Sequence, residues 1–190
     1  MKHFGNGHRP ALHPLTYFAT TCVLILFTGC GEWFRGESEY EQKARGWQEF
    51  TDLVKSVGGT SAENKYFEKY GQTGMAWEID LSNGRIDDPL IKTMGELDYI
   101  IKLNLSNSTI TDEQLLELNK TNACQITMLL DLSDTAITDA AFEKLDNFLA
   151  LQRVKLTGAR VTQGAVDRFK KERQTNKKFL LPFRNPEITL

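Results

Sequence analysis

The sequence predicts an α/β fold made of repeats: a short solenoid of about four strand–turn–helix units, with a parallel sheet on its concave face and helices on its convex face. A capping helix is expected at the N-terminal end. Three observations predict this. Leu103-Asn104-Leu105-Ser106-Asn107-Ser108-Thr109-Ile110-Thr111-Asp112 is nearly repeated as Leu130-Asp131-Leu132-Ser133-Asp134-Thr135-Ala136-Ile137-Thr138-Asp139. Five apolar columns run through these two copies and two flanking ones. Helix-start signals follow the first three columns.

The columns are counted from the second leucine of each pair. Leu81, Leu105, Leu132 and Leu156 are spaced 24, 27 and 24 residues apart. Two residues earlier stand Ile79, Leu103, Leu130 and Val154, and five residues later Ile86, Ile110, Ile137 and Val161. Then come Ile91, Leu115, Phe142 and Val166, and three further on Met94, Leu118, Leu145 and Phe169. A period in the twenties with fixed apolar columns signals stacked units. Spacing by two puts the first pair on one face of a short strand. Spacing by three is helical.

Between strand and helix lie caps. Thr111-Asp112 and Thr138-Asp139 offer capping side chains, and Gln114 completes a capping box with Thr111. In the first unit Asp88 is expected as the cap, with Pro89 preset for the first turn. No unit can bury its apolar face alone, so the units must stack.

From Ile79 to Phe169 these units resemble leucine-rich repeats, most closely the short bacterial type L-x-L-x-x-T-x-I-T-D. The outer copies depart from it: Val161-Thr162-Gln163 replaces I-T-D, and Ile86-Asp87-Asp88 lacks the threonine. The resemblance implies a right-handed solenoid. In many such repeats a buried Asn three after the leucine bonds backbone groups. Here that position holds Gly84, Ser108, Thr135 and Ala159, of which only Ser108 and Thr135 have a side chain able to donate such a bond.

Residues 1–29 read as a signal peptide. Lys2 and Arg9 give a positive start, and Leu15 to Thr28 is an apolar run. Thr28-Gly29-Cys30 resembles a bacterial lipoprotein cleavage box, which implies lipid on Cys30 at the mature N-terminus. An uncleaved anchor is the alternative, shortened by His13 and Pro14. Residues 30–41 are expected to be a tether. Residues 42–74 hold the capping helix, with Trp47, Phe50, Leu53, Val54 and Val57 at helical spacing, then a Gly58-Gly59 stop and an irregular connection bearing Tyr66, Phe67 and Tyr70. That segment caps the repeats or offers a partner-binding helix. Repeats occupy 75–176. Residues 177–190 form a C-terminal cap around Phe179 to Phe183 and a loose tail with Ile188 and Leu190.

All three histidines fall in residues 1–29, as does Cys22. Without His, Ser-His and Cys-His nucleophiles and the usual zinc sites are excluded from the remainder. Cys124 sits eight before Leu132, as Leu97 does before Leu105, so it reads as a core residue. No phosphate loop or nucleophile elbow is present. No enzyme, cofactor or metal is expected.

Charge is uneven. Residues 31–150 carry 22 acidic and 11 basic side chains, and residues 151–190 carry 3 and 10. Arg168, Lys170, Lys171, Arg173, Lys177 and Lys178 form a candidate basic surface, for anionic lipid or an acidic partner, or for solubility alone. An exported lipoprotein would not meet nucleic acid, so none is expected. By alternation, Glu78, Asp80, Lys102, Asn104, Asp131, Ser133, Arg153 and Lys155 line the concave face, pairing Glu78 with Lys102 and Asp131 with Lys155.

Two functions fit. One is a monomeric, membrane-anchored lipoprotein that binds an unidentified protein through this face, on the extracytoplasmic side. The other is a passive cell-envelope component touching anionic lipid through its basic end.

Overall fold

The computed structural model describes residues 39–68, 74–179 and 183–190. The signal segment, Cys30 and most of the expected tether lie outside the described residues, as do Tyr70 and residues 180–182.

The fold is α/β, with one six-stranded sheet, mostly parallel, and five helices. The elements run α1 (Glu39–Ser56), β1 (Thr60–Asn64), β2 (Ala76–Asp80), α2 (Asp88–Gly95), β3 (Tyr99–Asn104), α3 (Asp112–Asn119), β4 (Leu129–Asp131), α4 (Asp139–Phe142), β5 (Arg153–Lys155), α5 (Gln163–Thr175) and β6 (Glu187–Thr189). The strands lie side by side in chain order; β1 is antiparallel to β2 and every later pair is parallel. Each helix touches the next, from α1 against α2 to α4 against α5.

The apolar columns explain the register. Ile79, Leu103, Leu130 and Val154 are paired neighbours across β2 to β5. All members of the five columns are buried, and the strand leucines and their partners are at most 2 % exposed. Burying one such side chain contributes about 1.5–3 kcal/mol. Cys124 is fully buried in the same core, as its spacing predicts.

After each of β2 to β5 the chain turns through one left-handed residue: Asn83, Asn107, Asp134 or Gly158, with φ of 61°, 53°, 56° and 77°. Asn, Asp and Gly are the types that tolerate this region. A Cβ at Gly158 would also collide with the Asp134 carboxylate, so a side chain there would force Asp134 to move. The turns are tied to one another: the amides of Asn83, Asn107 and Asp134 donate to the carbonyls of Ser106, Ser133 and Thr157.

The T-D pairs at the starts of α3 and α4 have two tasks. Thr111 caps α3 in the expected box with Gln114, and Thr138 and Thr162 cap α4 and α5. The following acid joins successive units. Asp112 accepts from the amide and hydroxyl of Thr138, and Asp139 does the same for Thr162.

Several expectations need correction. In the first unit the cap is Asp87, which accepts from Leu90 N at 3.0 Å; Asp88 lies inside the helix and accepts from Gln114. Thr135 bonds the Leu132 carbonyl at 2.6 Å, but the buried Ser108 hydroxyl has no partner among the described residues. Helix α1 begins at Glu39, three residues before the expected start, because acidic residues suit a first helical turn. The expected irregular connection contains β1, a polar strand without apolar alternation that takes its register from β2. The expected loose tail forms β6: Ile188 pairs with Val154 and packs against the core. Helix α4 is a single turn, and Leu145 and Phe148 are buried from the irregular segment after it.

Candidate binding face

Side chains two apart on a strand share a face, and in-register parallel pairing lines them into rows. One row crosses the sheet as Ala62, Glu78, Lys102, Leu129, Arg153 and Glu187. The next reads Thr60, Asp80, Asn104, Asp131, Lys155 and Thr189. A depression of about 390 Å³ lies over these rows, walled by Thr60, Ser61 and Ala62 on one side and by Arg153 and Lys155 on the other. Seven of the eight residues singled out in the sequence line it. Ser133 does not; it stands in the turn, where its amide donates to Asp131 Oδ1.

The rows pair internally. Lys102 Nζ meets Glu78 Oε2 at 2.7 Å and Lys155 Nζ meets Asp131 Oδ2 at 2.9 Å, as the sequence predicts. Arg153 Nε meets Glu187 Oε2 at 3.2 Å. Glu187 is a residue that sequence reasoning missed. Its signal was Ile188-Thr189-Leu190, which has the same apolar spacing by two as Val154-Lys155-Leu156.

Asp80, Asn104 and Asp131 also build the turns. Each accepts through Oδ1 from the amide two residues on, at 2.9–3.1 Å. Asn104 Nδ2 in turn donates to Asp80 Oδ2 at 3.0 Å. Lys155 breaks this series.

The carboxylates are held in their charged forms. The Lys102 ammonium beside Glu78 lowers its carboxyl below the ordinary value, against the opposing effect of burial and with help from Asn64. Burial works to raise Asp131, but hydrogen bonds from Ser133 and Lys155 outweigh it and its value falls. Asp80 falls for similar reasons: burial raises it, Ser82 and Asn104 lower it more, and the Asp131 charge pushes back. Asp80 has no ion-pair partner among the described residues.

The six residues of the candidate basic surface do not form one patch. Arg173 is a correction: it is 1 % exposed. It continues the inner stripe of α5 after Val166 and Phe169, a helical spacing visible in the sequence. Its guanidinium donates to the carbonyls of Phe148, Leu149 and Phe183 and lies 4.1 Å from the Phe179 ring centroid and 5.3 Å from that of Phe169. Burial lowers its pKa to about 10, so it stays charged at neutral pH. Arg168 makes a bidentate pair with Glu143, and Lys178 meets Asp146 at 3.3 Å. Lys170, Lys171 and Lys177 make no ion pair among the described residues.

Burial pushes the Cys124 thiol far up, which removes its nucleophilic form. No helix among the described residues is long and apolar enough to cross a membrane. No described protein family matches the sequence. No curated protein matches it either.

Proposed function

We propose that this chain is a leucine-rich repeat protein, held on the outer side of a membrane by lipid on Cys30, and that the open face of its sheet binds a partner protein without catalysis. The observation that carries this reading is the depression over two in-register rows of mainly polar, half-buried to exposed side chains. Leu129 stands in its centre, half-buried between Lys102 and Arg153, and offers an apolar contact ringed by charge. Interfaces commonly combine an apolar centre with a polar rim. The recurring columns, the left-handed turn residue and the Thr–Asp ties between successive units support the repeat assignment. Internal pairing of Arg168 and Lys178 and burial of Arg173 leave less free cationic charge for anionic lipid than the sequence suggests.

The test places a photo-crosslinking residue at Leu129 of the full chain in native membranes. One discrete protein adduct is expected, and it should disappear when Lys102, Arg153 and Lys155 are all changed to Glu. Adducts to lipid alone, or an adduct pattern unchanged by the triple substitution, would overturn the reading. Fatty-acid labelling that marks the wild type but not Cys30→Ala is expected for the anchor.

A further inference from the structure

The sheet has two borders, and they differ. β6 is three residues long and follows Pro186 directly. Short length and a neighbouring proline are devices that blunt an edge. β1 spans five residues, all paired with β2 in an unbroken antiparallel register, and it contains neither proline nor lysine. No backbone hydrogen bond joins Thr60–Asn64 to any described residue outside β2. A strand paired on one side leaves amides and carbonyls directed outward on the other.

The side chains beside this edge set its chemistry. Ala62 stands next to Glu78 and Thr60 next to Asp80. Glu78 already holds Lys102 and Asn64. Among the described residues Asp80 receives neutral donors alone, Ser82 N and Asn104 Nδ2, and it lies close enough to Asp131 to feel its charge. Thr60 and Ala62 are small and exposed, so they leave an open lane across β1 from the border to this acid, and both wall the depression.

We propose that the free edge of β1 takes up an extended basic segment of a partner protein as an added strand, with a lysine or arginine opposite Thr60 reaching across to Asp80. Strands lie about 4.8 Å apart, so the added strand would run about 10 Å from β2. A lysine and an aspartate pointing toward each other span that distance. Main-chain bonds supply the affinity and the cation supplies the selectivity. This edge borders the same depression, at the side opposite Arg153 and Lys155, and the proposal does not rest on a partner bound at Leu129.

The test uses the full chain in detergent micelles and four synthetic hexapeptides. One alternates lysine and valine. One alternates glutamate and valine. Two are lysine–valine peptides N-methylated at every lysine or at every valine. Amides that pair with β1 come from alternate residues, so one methylated peptide should bind and the other should fail. The parent lysine peptide should slow hydrogen exchange at the outward amides of residues 60–64, and the glutamate peptide should not. Asp80→Asn should weaken binding about fivefold, the size of one exposed ion pair. Leu129→Ala, which changes no charge, should leave it unchanged, and this separates the edge from the open-face reading. Equal binding of both methylated peptides, or no slowing of exchange with the lysine peptide, would overturn strand addition. Protection of residues 60–64 without peptide, rising with protein concentration, would make a second copy the occupant and overturn the basic partner.

Discussion

The two ends of the sheet close the same kind of gap by different chemistry. Before β2, the apolar interior is covered by α1, with Phe50 and Val54 fully buried and the Phe50 ring edge-on to Trp77 at 5.4 Å. After β5, it is covered by Phe179, β6 and a buried cation, Arg173, latched to three carbonyls. The first cover works by area removed from water and needs no particular partner geometry. The second works by donors placed on acceptors, and a buried guanidinium is tolerated only because those carbonyls and two rings surround it. An apolar cover degrades gradually as it is trimmed; a polar latch fails when one member is removed.

Two substitutions probe this contrast most directly. Phe50→Ala should cost about 3–5 kcal/mol, the range for a large aromatic lost from a packed interior. Denaturant titration reads it as a lower midpoint with an unchanged slope. Arg173→Leu should cost about 2–3 kcal/mol, because it keeps apolar volume but strands carbonyls that were accepting from a charged donor. Its effect should be local, with faster hydrogen exchange at Leu156 and Glu187, whose amides bond across the β5–β6 border. If Arg173→Leu is neutral, the latch is ordinary packing and the ends do not differ in kind.

The helical cover of the first end was legible in the sequence; of the second end only Phe179, expected in a cap, was. Trp47, Phe50, Leu53, Val54 and Val57 fall at helical spacing and end at Gly58, whose φ of 81° fits a helix stop. Apolar periodicity reports apolar burial, so α1 was expected where it lies, apart from its first turn. Arg173 is charged, and composition places charge outside; only its position on the Val166–Phe169 stripe argued otherwise. β1 was missed because Thr60–Asn64 lacks apolar alternation, and β6 because its spacing by two, Ile188 and Leu190, is not followed by the other columns of a repeat. Their partners define them. On the open face the same alternation that fixed the columns also fixed the rows, so the Glu78–Lys102 and Asp131–Lys155 pairs could be anticipated. The turn bonds made by Asp80, Asn104 and Asp131 could not, because a polar residue facing solvent gives no sign of which amide it will bond.

Asn104 tests that last point at smaller magnitude. It sits between the two ends, faces away from the core, and yet accepts from Ser106 N and donates to Asp80. Asn104→Ala should cost about 1 kcal/mol, as for other local side-chain bonds to backbone, and more than a surface substitution without such bonds. Asn104→Asp should keep the turn but place a third acid between Asp80 and Asp131, so its cost should shrink as salt is raised. A cost independent of salt would remove the charge argument for that row.

The smallest effect separates the face from both ends by pH. Neither Phe50 nor Arg173 closes its end with a carboxylate, so those contributions should not change between pH 3 and pH 7. Glu78, Asp80 and Asp131 are all held below their ordinary values in the folded chain. A carboxyl whose folded pKa is depressed contributes stability that is full above its unfolded value, about 4, and is lost as pH falls through the folded value. Stability should therefore be flat from about pH 7 to pH 5 and decline below about pH 4. Asp131→Asn keeps the shape and one acceptor oxygen but removes the charge that Lys155 meets at 2.9 Å. Its own cost at neutral pH should stay below about 1 kcal/mol, since Lys155 is largely exposed, and the acid decline should become shallower than in the wild type. The same titration on Phe50→Ala and Arg173→Leu should give curves parallel to the wild type, displaced downward. If Asp131→Asn is also parallel, the acid-sensitive groups lie away from the open face, and its rows are not held by charge.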